Sequence, residues 1–122
     1  MDKIVLSLTE KPNQSTESGL ACEFSAIEAA QRQSHLDVAR QLFAGRQPLQ
    51  ELDDGYLYAY SAEEYEIVTR FVANERRCCP FWHFTVEVLP NQEAVHLRMR
   101  GPSGIKQVLQ SAIHNFESFI QN

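Results

Sequence analysis

Pro80, placed directly after Cys78 and Cys79, sets where one helix must stop. The residue before a proline is pushed out of helical geometry, so a helix running into this pair ends at Cys79. Upstream, Ser61-Ala62-Glu63-Glu64 reads as a capping box, with the serine serving the Glu64 amide and the glutamate reaching back, and starts that helix near Ala62. Between the two ends Tyr65, Val68, Phe71 and Val72 recur at three- and four-residue spacings and form one apolar stripe. Glu75 falls inside the stripe, four residues after Phe71 and three after Val72. Cys79, four residues further on, points inward with it, while Cys78 sits at the stripe's edge and Arg70 and Arg77 project from the opposite face.

A carboxylate that faces a core costs several kcal/mol unless it is bonded, so Glu75 is expected to be largely buried and to accept from a backbone amide or an arginine. Three readings of the Glu75-Arg76-Arg77-Cys78-Cys79-Pro80-Phe81 segment follow. In the first, two small buried hydrophobes flank a satisfied glutamate. The second makes the thiolates ligands of a soft metal ion. The third makes Cys78 or Cys79 a nucleophilic or redox thiol with Glu75 as proton acceptor.

With 122 residues, the chain (1–122) reads as one domain, large enough to bury about two-thirds of its unfolded surface. A formal charge of −5, from 16 acidic and 11 basic residues, argues against nucleic acid or an anionic membrane as partner. The start, Met1 to Glu10, lacks a cationic segment followed by a long apolar run, and no stretch is long enough to span a bilayer, which points to a cytoplasmic protein. Cys22, Cys78 and Cys79 form an odd set with two sequence neighbours, so a structural disulfide framework is not expected.

Along the chain, 1–20 reads as a short strand at Ile4 to Leu8 plus a mobile loop from Lys11 to Gly19, and 21–122 as the core. Ser25-Ala26-Ile27-Glu28 resembles a second capping box. The helix it would open carries Ile27, Gln31, His35, Val38, Ala39, Leu42 and Phe43 on one face, with Gly45 suited to its C-terminal cap and His35 at the core edge. Asp53-Asp54-Gly55 turns into a strand at Tyr56 to Tyr60. Trp82, Phe84, Val86 and Val88 alternate with His83, Thr85, Glu87 and Leu89, and Val95, Leu97 and Met99 with His96, Arg98 and Arg100, a hairpin across Pro90 to Glu93. After Gly101-Pro102-Ser103-Gly104 a last helix carries Ile105, Val108, Leu109, Ala112, Ile113, Phe116, Phe119 and Ile120 at helical spacing and is expected over the Trp82 face of the hairpin. The order β-α-β-α-β-β-α predicts an α+β fold, a small antiparallel sheet with helices on one face, and its central part admits a ferredoxin-like arrangement.

Neighbouring cysteines on a helix diverge, so a shared ion needs the unwinding that Pro80 supplies. With the turn broken, Cys78 and Cys79 can meet Cys22 if the loop before the first helix packs on the end of the Cys helix. That trio would suit Hg(II), Cu(I) or Zn(II), with Glu75 as orienter or auxiliary ligand and His83 as the nearest nitrogen. The leading expectation is therefore a non-enzymatic soft-metal site. A thiol-dependent enzyme or redox sensor is the alternative from another class, and a structural or partner-binding domain, homo-oligomeric forms included, is the third.

At Glu75, Cys78, Cys79, Pro80 and Phe81, and again at Gly101-Pro102-Ser103-Gly104, the chain resembles a group of small, largely uncharacterised bacterial proteins with a Glu-x-x-Cys-Cys-Pro-Phe signature. The likeness runs from Cys22 to about Ile120. Some members are associated with MerR-type metal-responsive regulators, so the resemblance implies soft-metal handling, without a DNA-binding helix pair in this chain.

Overall fold

The computed structural model describes residues 22–121. The strand expected at Ile4 to Leu8 and the loop that follows it lie outside the described residues. Within them a single 3-10 turn, Phe24–Ala26, leads to helix α1, Ala29–Phe43. A hairpin of β1, Gln50–Leu52, and β2, Gly55–Tyr60, follows, then helix α2, Tyr65–Cys78. A second hairpin of β3, His83–Val88, and β4, Val95–Arg100, precedes helix α3, Ile105–Gln121. The sheet is antiparallel throughout, in the order β1-β2-β4-β3, and the fold is α+β as the sequence predicts. Because β4 lies between β2 and β3, the β2-α2-β3 connection is a split β-α-β unit. The edge beyond β2 is taken by β1, a strand of three residues too short to show alternation in the sequence.

The strand register places Tyr56, Tyr58 and Tyr60 opposite Met99, Leu97 and Val95, and Phe84 and Val86 opposite Met99 and Leu97, all on one face. His83, Thr85 and Glu87 stay exposed on the other, as the alternation requires. Gly55 is needed where it stands: a Cβ there would lie 1.8 Å from the Met99 carbonyl oxygen, so β2 can approach β4 this closely only without a side chain.

α1 buries His35, Val38, Ala39, Leu42 and Phe43, the spacing of one helical face. Its start differs from expectation. The Ser25 hydroxyl turns to the Glu23 carboxylate rather than capping a helix, Ile27 is extended, and Arg32 donates to the Ile27 and Ser25 carbonyls at 2.8 and 3.1 Å. Those carbonyls are thus satisfied without helical bonds, and the helix begins at Ala29, leaving Gln31 exposed. At the far end Gly45 takes φ +72, the left-handed cap expected of it.

The capping box of α2 forms as read, with the Ser61 amide donating to Glu64 Oε1 at 2.9 Å, but the first turn is a 3-10 turn, Ala62–Glu64. Tyr65 is exposed while Val68 and Phe71 are buried, since two three-residue steps at 3.6 residues per turn set Tyr65 about 120° from Phe71.

The main core joins all three helices to the inner sheet face. Phe43 sets its edge against Tyr58 and Phe71, both with ring centroids 5.1 Å away, and Phe71 meets Phe84 of β3 at 6.1 Å. The Tyr60 hydroxyl donates to the Leu42 carbonyl at 3.1 Å, so the one polar atom of that buried ring is satisfied. Each fully buried side chain of this type contributes about 1.5–3 kcal/mol. Leu109 of α3 joins the same core as Leu97, Met99 and Trp82, while its polar anchors run to the other edge: Lys106 to Glu51 of β1 at 2.6 Å, and Gln110 to the Tyr56 hydroxyl at 2.8 Å.

A candidate thiol site beside a histidine–glutamate pair

Where α2 ends, three chain segments converge. Cys79 leaves the helix with φ −127 and ψ 83, out of the helical region that Pro80 disfavours, and this swings its side chain away from the helical row toward the segment before α1. That segment is tied down by a backbone bond from the Glu23 amide to the Cys78 carbonyl, 2.7 Å, which satisfies one of the open carbonyls of the helix end. Ile27, fully buried, packs on Cys78 and Cys79 and closes the corner.

The result is a cluster of three sulfur atoms, those of Cys22, Cys78 and Cys79, all within 4.8 Å of one another. The expected meeting of Cys22 with the pair is therefore found. Cys22 and Cys79 lie at disulfide distance, 2.09 Å, a cross-link that the expectation of no structural disulfide framework did not include. Cys78 keeps a free thiol 3.6 Å from the Cys79 sulfur. It is the last helical residue and is buried rather than at the edge. Burial, and then the negative charge of Glu75, pushes the Cys78 thiol up to about 12. Cys22 is exposed, so the cluster reaches from solvent into the core edge.

Glu75 lies on the inner face as its phase demands, its side chain 16% exposed, but its partners are neither a backbone amide nor an arginine. His35 Nε2 lies 2.9 Å from Oε1, and the Trp82 indole N–H donates to Oε2 at 3.1 Å. The carboxylate accepts in both contacts, which puts a proton on His35 Nε2. His35 Nδ1 is buried and has no hydrogen-bond partner among the described residues. The ring stacks on Phe71 at 5.5 Å, which fixes its plane.

Both features line one cavity of about 250 Å³ between the helices and the sheet. Cys22, Cys78 and Cys79 form part of its wall with His35 and Glu75, and most of the remainder is apolar, including Leu36, Phe71, Trp82, Val108, Leu109 and Ala112. His83, the expected auxiliary nitrogen, sits exposed on the outer sheet face opposite Arg100 and is not a member of the sulfur cluster. His35 is the functional candidate that the sequence reading left at the core edge. Its signal was there: a buried histidine, a buried glutamate and a tryptophan N–H each need a partner, and together they supply one another.

Among the described residues no helix is long and apolar enough to cross a membrane. No protein-family model matches the chain, and no curated protein and no solved structure matches it.

Proposed function

We propose that this is a cytoplasmic, non-enzymatic thiol protein that binds a soft metal ion, Hg(II), Cu(I) or Zn(II), through Cys22, Cys78 and Cys79 in the reduced state. The observation that carries the reading is the convergence of three sulfurs within 4.8 Å of one another. Sulfurs sharing one ion in a trigonal plane, at zinc–sulfur bonds of about 2.3 Å, stand about 4 Å apart, so small side-chain adjustments suffice. Glu75 serves as orienter, because its two oxygens are already engaged by His35 and Trp82. The raised Cys78 thiol suits a ligand that loses its proton only when a cation replaces it. Neither nucleic acid nor membrane is a partner in this reading, in keeping with the acidic balance of the chain.

The Cys22–Cys79 distance supports a second reading, a redox sensor in which oxidation of that pair removes two of the three ligands. A thiol enzyme using Cys78 as nucleophile is less well supported, since burial holds that thiol protonated.

The test is elemental analysis and thiol titration of protein purified under reducing, oxygen-free conditions. Metal at one equivalent with three protected thiols is the expected result, and Cys22→Ser, Cys78→Ser and Cys79→Ser should each weaken Hg(II) binding. Metal-free protein that also refuses added Hg(II), with a Cys22–Cys79 bond that forms and breaks reversibly, would shift the assignment to the redox reading.

A further inference from the structure

The sulfur cluster is one wall of a cavity far larger than a bare ion needs. About 250 Å³ exceeds the ~150 Å³ of an apolar cavity known to take up benzene. Its lining is unsuited to a hydrated hard cation. Among the described residues the single carboxylate there has both oxygens bonded, and His35 Nδ1, a nitrogen of the borderline-soft imidazole type, has no hydrogen-bond partner. The remaining wall includes Leu36, Val108, Leu109 and Ala112, which offer an organic group apolar contact. Soft donors and an apolar chamber therefore face the same space.

We propose that the ligand is an organyl-substituted soft metal cation, R–M⁺, whose metal is taken by the thiolates and whose aryl or alkyl group R occupies the cavity. This rests on the metal-binding reading above and adds the class of ligand. Binding exchanges the thiol protons of the reduced protein for metal–sulfur bonds and releases them to solvent; the metal–carbon bond stays intact and no electron is transferred. Cys22, exposed at the rim, is the first sulfur such a cation meets, and the buried Cys78 and Cys79 lie behind it.

The experiment uses the full chain, reduced and kept oxygen-free, with three probes: Hg(II), methylmercury and phenylmercury. Each competes against a small monothiol, whose own preference between methyl- and phenylmercury is the reference. The wild-type protein should favour phenylmercury over methylmercury by about tenfold or more beyond that reference, because the phenyl group buries more apolar area. Ala112→Phe, which fills the chamber, should abolish that preference and leave Hg(II) affinity within about twofold, as the sulfurs are untouched. A wild-type preference no greater than the monothiol's overturns the proposal, and that comparison needs no variant to fold. Persistence of the preference in folded Ala112→Phe overturns the placement of R. Failure of the metal reading is separate: the protein would then bind none of the three probes more tightly than the monothiol does.

Discussion

The aromatic core around Phe43 and the thiol corner around Cys78 are neighbours with opposite construction. In the core, Phe43, Tyr58 and Phe71 meet edge to face and the buried Tyr60 hydroxyl has its acceptor. In the corner, a buried thiol, a histidine with one nitrogen unpartnered among the described residues and a carboxylate share a cavity of about 250 Å³. Close packing with satisfied polar atoms stabilises; a chamber walled by soft donors forgoes dispersion contacts and leaves room for a ligand. Phe71 belongs to both, packing on Phe43 with one side and on His35 with another. The core thus holds the ring against which the site's histidine is aligned.

The comparison breaks most visibly in the core. Phe43→Ala should cost about 3–5 kcal/mol, read from chemical denaturation, because it removes a fully buried ring between Tyr58 and Phe71. A loss below about 1 kcal/mol would mean that the core is not the rigid half of the pair. In the corner, Cys22→Ser in oxidised protein should lower stability by about 2–4 kcal/mol, since a cross-link spanning 57 residues restricts the unfolded chain. The same change in reduced, metal-free protein should cost little, and equal losses in both states would argue that Cys22 contributes packing alone.

A smaller effect is expected from Glu75→Ala, about 1–3 kcal/mol, because it strands His35 and the Trp82 N–H. Its distinguishing readout is the Trp82 indole N–H resonance, which should move with Glu75→Ala and stay in place with the distant Arg98→Ala. The subtlest test is alkaline titration of the core. Burial raises the Tyr58 phenol from its ordinary 10 to about 12, and that of Tyr60 higher still. Between pH 10 and 12 the unfolded chain loses phenol protons that the folded one retains, so stability is full below pH 10 and falls as pH rises through that window. Tyrosinate absorbance appearing in step with normal exposed phenols, with no loss of stability, would show these rings to be wetter than their packing implies.

Much of the site's placement was legible in local pattern. The capping box and Pro80 bound α2, and the three- and four-residue spacing puts Val68, Phe71 and Glu75 on its inner side. Strand alternation set the β3 and β4 register, because a one-residue slip would turn Phe84 and Val86 to water. Short-range chemistry misled at two helix starts. Arg32 bonds the carbonyls that would have entered α1, and the turn expected to open α2 closes as a 3-10 turn. These are competitions between bonds of similar strength, which spacing alone does not resolve.

The sequence by itself determined which residues must be inside, that Glu75 among them needed partners, and that the thiols end a helix. Only the tertiary structure decided who the partners are. His35 lies 40 residues from Glu75, and Cys22 lies 57 from Cys79; periodicity assigns a residue to a face, not to a particular neighbour across the core. The joining of those faces came from the Glu23–Cys78 backbone bond and from the packing of α1 against α2, both products of the whole chain's collapse.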